Sequence, residues 1–197
     1  MMILKKFALG IVVAVLASTL LLPGSAGAVK ADSYYEDFTD EGESYPLIID
    51  QGRAYVIRAY DFNRMLSLGE LISGTSSAHS LALREFEIYG TKQQLDMAKK
   101  KLNDLTATAN TMKSELSYMT DSSVPEIFSN YTKAINRYKA ANSYLYKFYK
   151  TPTKYNFNMY LKYEKEGFDL AYTGKEKSFS EYQYYMGMAL DILSLNQ

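Results

Sequence analysis

Apolar and small side chains recur at alternating steps of three and four residues between Ile88 and Met119. This spacing places them on one stripe of an α-helix whose other face is polar. The stripe consists of Ile88, Leu95, Ala98, Leu102, Leu105, Ala109, Met112, Leu116 and Met119. A capping box of Thr91 and Gln94 directly after Gly90 would allow a break here. We expect the helix instead to continue, straight or kinked, through Gly90.

A second stripe with the same period follows after a short polar turn. It consists of Ile127, Tyr131, Ala134, Tyr138, Ala141, Leu145 and Phe148. The turn spans Thr120 to Ser123, and Ser123 with Glu126 is typical of a capping box at a helix start. Two such stripes joined by a tight turn predict an antiparallel helical hairpin over residues 91–149.

Further helical patterns flank this hairpin. They run from Pro46 to Ser73, from Lys154 to Ala171 and from Ser178 onward. Gly74 and Pro152 are typical helix stops, and we expect a turn around Gly174. No stretch shows the alternation of a β-strand. The prediction is an all-α fold, an up-and-down antiparallel bundle of four or five helices.

The first residues have the pattern of a secretory signal peptide. Lys5 and Lys6 precede an apolar run from Phe7 to Leu22, and small residues follow. We expect cleavage after Ala28 or after Ala31. The alternative is an uncleaved membrane anchor, although the run is shorter than the roughly 20 residues of a spanning helix. The absence of cysteine excludes a lipid-anchored lipoprotein and a disulfide scaffold.

An acidic segment follows the predicted leader. Residues 32–50 carry seven carboxylates and no basic side chain. We expect residues 29–45 to form a mobile arm, because the segment has few aliphatic side chains to bury. The predicted organisation is therefore a signal peptide over residues 1–28, an acidic flexible arm over 29–45 and a single helical-bundle domain over 46–197.

The composition removes most designs for a catalytic or metal site. His79 is the only histidine, so the paired Glu-x-x-His motifs of a di-iron bundle and ordinary zinc ligand sets are missing. We interpret His79 as a capping or surface residue, and we expect no enzyme activity and no cofactor. A hydrolase that uses a carboxylate pair is the minority alternative. Its best candidates, Glu164 with Glu166 and Asp169 or Glu85 with Glu87, look like solvated positions.

One stretch has a composition that favours binding. Between Ile127 and Tyr163 there is no acidic residue, but there are seven basic residues and eight tyrosines. Basic side chains attract anionic polymers, and tyrosine rings stack on sugars or bases. The candidate anion-binding face is Lys139, Tyr146, Lys147, Lys150, Lys154 and Lys162. The alternative is that the lysines form an ordinary solvated face or one neutralised or covered by the acidic arm.

These features together predict a secreted, non-enzymatic binding protein. The expected partner is an anionic envelope polymer, teichoic acid or acidic polysaccharide, or else a protein; we expect no nucleic acid and at most peripheral membrane contact. The alternative function is a membrane-tethered sensory bundle. The combination resembles many small exported proteins of Gram-positive bacteria, which implies a secreted or envelope-associated location, but no motif is specific to one family.

Overall fold

The computed structural model describes the backbone of residues 44–194 and the side chains of residues 51–192. This part of the chain contains five α-helices and no β-strand. The helices are α1 (Ser44–Ser73), α2 (Thr75–Tyr89), α3 (Gln93–Glu115), α4 (Ser123–Lys150) and α5 (Lys154–Ser194). The prediction of an all-helical fold is confirmed. The predicted signal peptide and all but the last two residues of the predicted arm lie outside the described residues.

Contacting pairs give the directions of the helices. α2 runs parallel to α4, because Ser76 contacts Tyr138 and Phe86 contacts Tyr149. α3 and α5 run in the opposite direction. The pairs of α3 are Glu85–Gln94 and Arg64–Glu115, and those of α5 are Glu70–Lys175, His79–Glu164 and Tyr144–Tyr163. α1 and α2 act as one rod, since Gly74 between them has helical angles and donates its N–H to Glu70 O at 2.9 Å.

The core lies along the two predicted stripes. Leu95, Leu102, Tyr131 and Tyr138 are fully or almost fully buried. α1 and α5 complete this core, with Phe62 stacked on Tyr185 at a ring distance of 5.6 Å. None of the described helices has the length and apolar character that crossing a membrane requires.

The expectation of a continuous helix through Gly90 is wrong. Gly90 has a φ of 66°, in the left-handed region, and its N–H donates to Phe86 O at 3.0 Å. This is the usual glycine ending of a helix, so α2 stops and α3 starts separately. Ile88, assigned to the buried stripe, is 57% exposed as a result.

The predicted capping boxes are not observed. At the start of α3, Gln94 N–H donates to Oε2 of Glu85 on α2 at 2.8 Å, and the Thr91 hydroxyl also donates to Glu85. At the start of α4, Ser123 Oγ is buried without a hydrogen-bond partner. A carboxylate from a neighbouring helix therefore does the capping that the local sequence suggested for Thr91.

The predicted turn around Gly174 is also wrong, because α5 is one unbroken helix of 41 residues. A methyl group at Gly174 would collide with the Tyr131 ring, and one at Gly167 would lie 3.1 Å from Cδ1 of Tyr138. Ser178 donates its hydroxyl to Gly174 O at 2.8 Å inside the helix, so it does not begin a new one. These glycines make room for tyrosines of α4.

Gly174→Ala is expected to destabilise the protein by about 1 to 3 kcal/mol, because overpacking against Tyr131 outweighs the gain in helix propensity. The matched control is Gly187→Ala in the same helix, where a methyl group would meet nothing within 4 Å. That control should stabilise by up to about 1 kcal/mol. Urea unfolding of both variants measures the difference in stability. Equal changes in the free energy of unfolding would contradict close packing of the Tyr131 ring on Gly174.

Alkaline pH is expected to unfold the protein. Burial raises the pKa of Tyr131, Tyr138, Tyr149 and Tyr160 well above the usual value, and raises the pKa of Tyr185 to about 12. The unfolded chain ionises these phenols near pH 10, so their stabilisation is complete below about pH 10 and is lost above it. Phenolate absorbance should rise together with loss of helical circular dichroism. Full ionisation near pH 10 with intact helices would be the opposite result.

Candidate anion-binding groove

A groove of about 520 Å³ lies between the N-terminal half of α3 and the C-terminal half of α4. Five lysines and one carboxylate line it. They are Lys92, Lys99, Lys139, Lys147, Lys150 and Asp96. The remaining polar lining comes from Asn103, Asn142, Ser143 and Tyr146. The groove is therefore strongly basic and rich in hydrogen-bonding groups.

Helical spacing brings these side chains together. Lys92, Asp96, Lys99 and Asn103 follow one another at steps of four, three and four residues, which is one face of the α3 segment. Lys139, Ser143, Tyr146 and Lys150 repeat the same steps on α4. Each polar row runs beside a buried apolar stripe, so the packing that joins the two helices also holds the two rows opposite each other.

The groove lysines have no carboxylate partner within the described residues 51–192. None of the five forms an ion pair with any residue that the structure describes. Two have aromatic contacts: Lys92 Nζ lies 5.5 Å from the centre of the Tyr146 ring, and Lys147 Nζ lies 4.2 Å from that of Tyr144. Such contacts hold an ammonium group in place without cancelling its charge.

Two basic residues of the acid-free stretch share one carboxylate at the α4–α5 contact. Arg137 Nε of α4 lies 3.1 Å from Glu166 of α5, and Lys162 Nζ of α5 lies 3.9 Å from the same carboxylate. Lys177 of α5 pairs with Glu126 of α4. These cations therefore have carboxylate partners, whereas the groove lysines have none among the described residues.

The structure therefore divides the predicted face. It gathers Lys139, Tyr146, Lys147 and Lys150 in the groove. Lys154 and Lys162 lie outside the groove. Lys154 is the first residue of α5, and Lys162 pairs with Glu166 on the same helix. Lys92 and Lys99 also line the groove but were not predicted, because they lie about 50 residues before the α4 lysines in the chain. The polar 4-3-4 spacing from Lys92 to Asn103 was the available signal.

The interpretation of His79 as a capping or surface residue is wrong. His79 is fully buried, with Nδ1 at 2.6 Å from Glu164 Oε2 and Nε2 at 3.2 Å from Asn142 Oδ1. Glu164 is therefore not a solvated position either. Asp169, its predicted neighbour, pairs with Lys165 at 2.5 Å on the surface instead.

The predicted acidic arm lies outside the described residues except for its last two. Covering or neutralisation of the groove lysines by the arm therefore stays a prediction.

Comparison with known proteins finds no family model, no curated protein and no solved structure that matches this chain. Within the described part of the chain, no three histidine or acidic side chains are grouped so that they could hold a metal ion.

Glu85→Ala is expected to destabilise the α2–α3 junction by about 0.5 to 2 kcal/mol, since it removes the acceptor for Gln94 N–H. Glu87→Ala, an exposed carboxylate on the same helix, is the control and should stay within about 0.5 kcal/mol of the parent. Thermal unfolding gives the stability change, and hydrogen exchange at the Gln94 amide locates it. Unchanged exchange there would refute the cap.

Proposed function

We propose that the protein is an exported, non-enzymatic binding protein that holds a segment of an anionic envelope polymer in the groove between α3 and α4. The polymer class is teichoic acid or acidic polysaccharide. The single observation that carries this proposal is a set of five lysines from two segments of the chain that line one cavity and form no ion pair with a described residue.

The concentration of these lysines around one cavity makes this set meaningful. Some cations of the bundle have a carboxylate partner on a neighbouring helix, as Arg137 of α4 has in Glu166 of α5, whereas the five groove lysines have none among the described residues. Five ammonium groups around one cavity repel one another, so the free protein carries an electrostatic cost that a bound polyanion relieves. A polymer with regularly spaced charges engages several lysines at once.

The uncharged lining fits a polymer with hydroxyl groups. Tyr146 presents a half-buried ring with a polar tip, and Asn103, Asn142 and Ser143 offer amide and hydroxyl groups. Ring faces stack on sugars, and amides hydrogen-bond to phosphate, carboxylate or hydroxyl oxygens. Glycerol phosphate or uronic acid chains present these groups together with their charges.

The test is binding of purified teichoic acid to the exported protein at several salt concentrations. Changing Lys147 and Lys150 together to Gln should lower the affinity about tenfold at low salt and reduce the salt slope by about two, because two fewer counterions are released. The matched control is the double change of Lys154 and Lys162 to Gln. It removes the same charge outside the groove and should leave the affinity within about twofold.

Two results would overturn the proposal. One is the absence of binding to teichoic acid and to acidic polysaccharide even at low ionic strength. The other is an equal loss of affinity in both double variants, which would mean that net charge alone attracts the polymer. A neutral glucan serves as the ligand control and should not bind.

A further inference from the structure

A hydrogen-bonded chain of three side chains, two of them buried and the third half-buried, begins at the groove. Asn142 lines the groove, and its Oδ1 lies 3.2 Å from Nε2 of His79. On the far side of the imidazole, Nδ1 lies 2.6 Å from Oε2 of Glu164. The chain thus leads from the groove through α2 to α5.

Both ring nitrogens of His79 face oxygen acceptors. A neutral imidazole donates one hydrogen bond, whereas an imidazolium ion donates two. Glu164 and Asn142 are therefore placed to accept both hydrogen bonds of a protonated ring. If the ring is neutral and gives its proton to Glu164, Nε2 becomes an acceptor, and the amide of Asn142 has to turn over to donate to it.

The other end of the Asn142 amide belongs to the groove. Its Nδ2 has no hydrogen-bond partner among the described residues, and it is not among the sealed unpartnered atoms such as Glu164 Oε1. Protonated His79 holds Oδ1 and leaves the NH₂ group for the groove. Neutral His79 would hold the NH₂ group and leave the carbonyl oxygen, which repels an anion.

We propose that His79 is a positioning residue: in its protonated form it presents the Asn142 NH₂ group to a phosphate, sulfate or carboxylate group of the bound polymer. This inference rests on the proposed function of the groove. Polymer binding and proton uptake by His79 then strengthen each other by the same factor, as linkage requires.

The groups around His79 agree with this coupling. From α5, the Glu164 carboxylate lies 2.6 Å from Nδ1 of the ring, and Tyr160 contacts the ring edge-on at 6.1 Å. From α4, Tyr138 makes a similar contact, and its hydroxyl is bonded to Ser76 of α2. The groove lysines, Lys99 on α3 and Lys139 on α4, oppose a further positive charge until an anion neutralises them.

The first experiment measures affinity for dextran sulfate, whose charge does not change between about pH 5.5 and about pH 8, the range in which imidazole titrates. At constant ionic strength, the affinity should be about fivefold or more higher at the lower pH. Asn142→Ala should remove this pH dependence. Asn103→Ala, the matched control at another asparagine of the groove, should keep it.

The second experiment observes the proton directly. His79 is the only histidine, so its ring nitrogen resonances need no assignment. Adding dextran sulfate should increase the proton affinity of His79 by the same factor as acidification increases binding. This measurement uses the unaltered protein and does not depend on whether a His79 variant folds.

The outcomes separate the two proposals. Binding that depends on the groove lysines but leaves the His79 resonances unchanged overturns the positioning role and keeps the proposed function. A pH dependence of binding that persists in Asn142→Ala also overturns the positioning role. No binding of dextran sulfate or teichoic acid at either pH overturns both.

Discussion

The seating of two tyrosine rings of α4 on glycines of α5 sets the architecture of this bundle. Tyr131 lies against Gly174 and Tyr138 against Gly167, so two residues seven apart on one helix meet two residues seven apart on the other. An axial shift of α5 would bring bulkier side chains onto both rings. These two glycine positions therefore fix the register of α5 that places Glu164 beside His79.

The sequence alone was sufficient for much of the fold, because apolar periodicity reports directly on which helix face is buried. Both central stripes and the helix end before Pro152 could be predicted. The effect of each glycine on its helix could not be predicted in the same way. Gly90 ends a helix in the left-handed conformation, whereas Gly174 lies within a helix. The difference depends on Tyr131, a contact distant in sequence, so local rules gave a continuous helix at the first and a turn at the second.

The candidate site shows the same limit. Lys139, Tyr146, Lys147 and Lys150 could be found because they share one helix. Lys92 and Lys99 join them only because α3 packs on α4. Lys162 does not belong to the groove and pairs instead with Glu166, which lies just beyond the acid-free stretch. Charge along a sequence therefore overestimates the charge of a surface. His79 was misjudged for a related reason, since its partners lie on two other helices.

The groove is short compared with a long polymer chain. From Lys139 to Lys150 the groove extends about 17 Å along α4, enough for only a few repeating units of a charged chain. Every stretch of that length along a uniform polymer is an equivalent and overlapping site. The apparent affinity for one polymer molecule would then rise with polymer length for statistical reasons alone. Neighbouring protein molecules would also exclude one another from stretches longer than the groove, because each bundle is broader than the polymer segment that it holds.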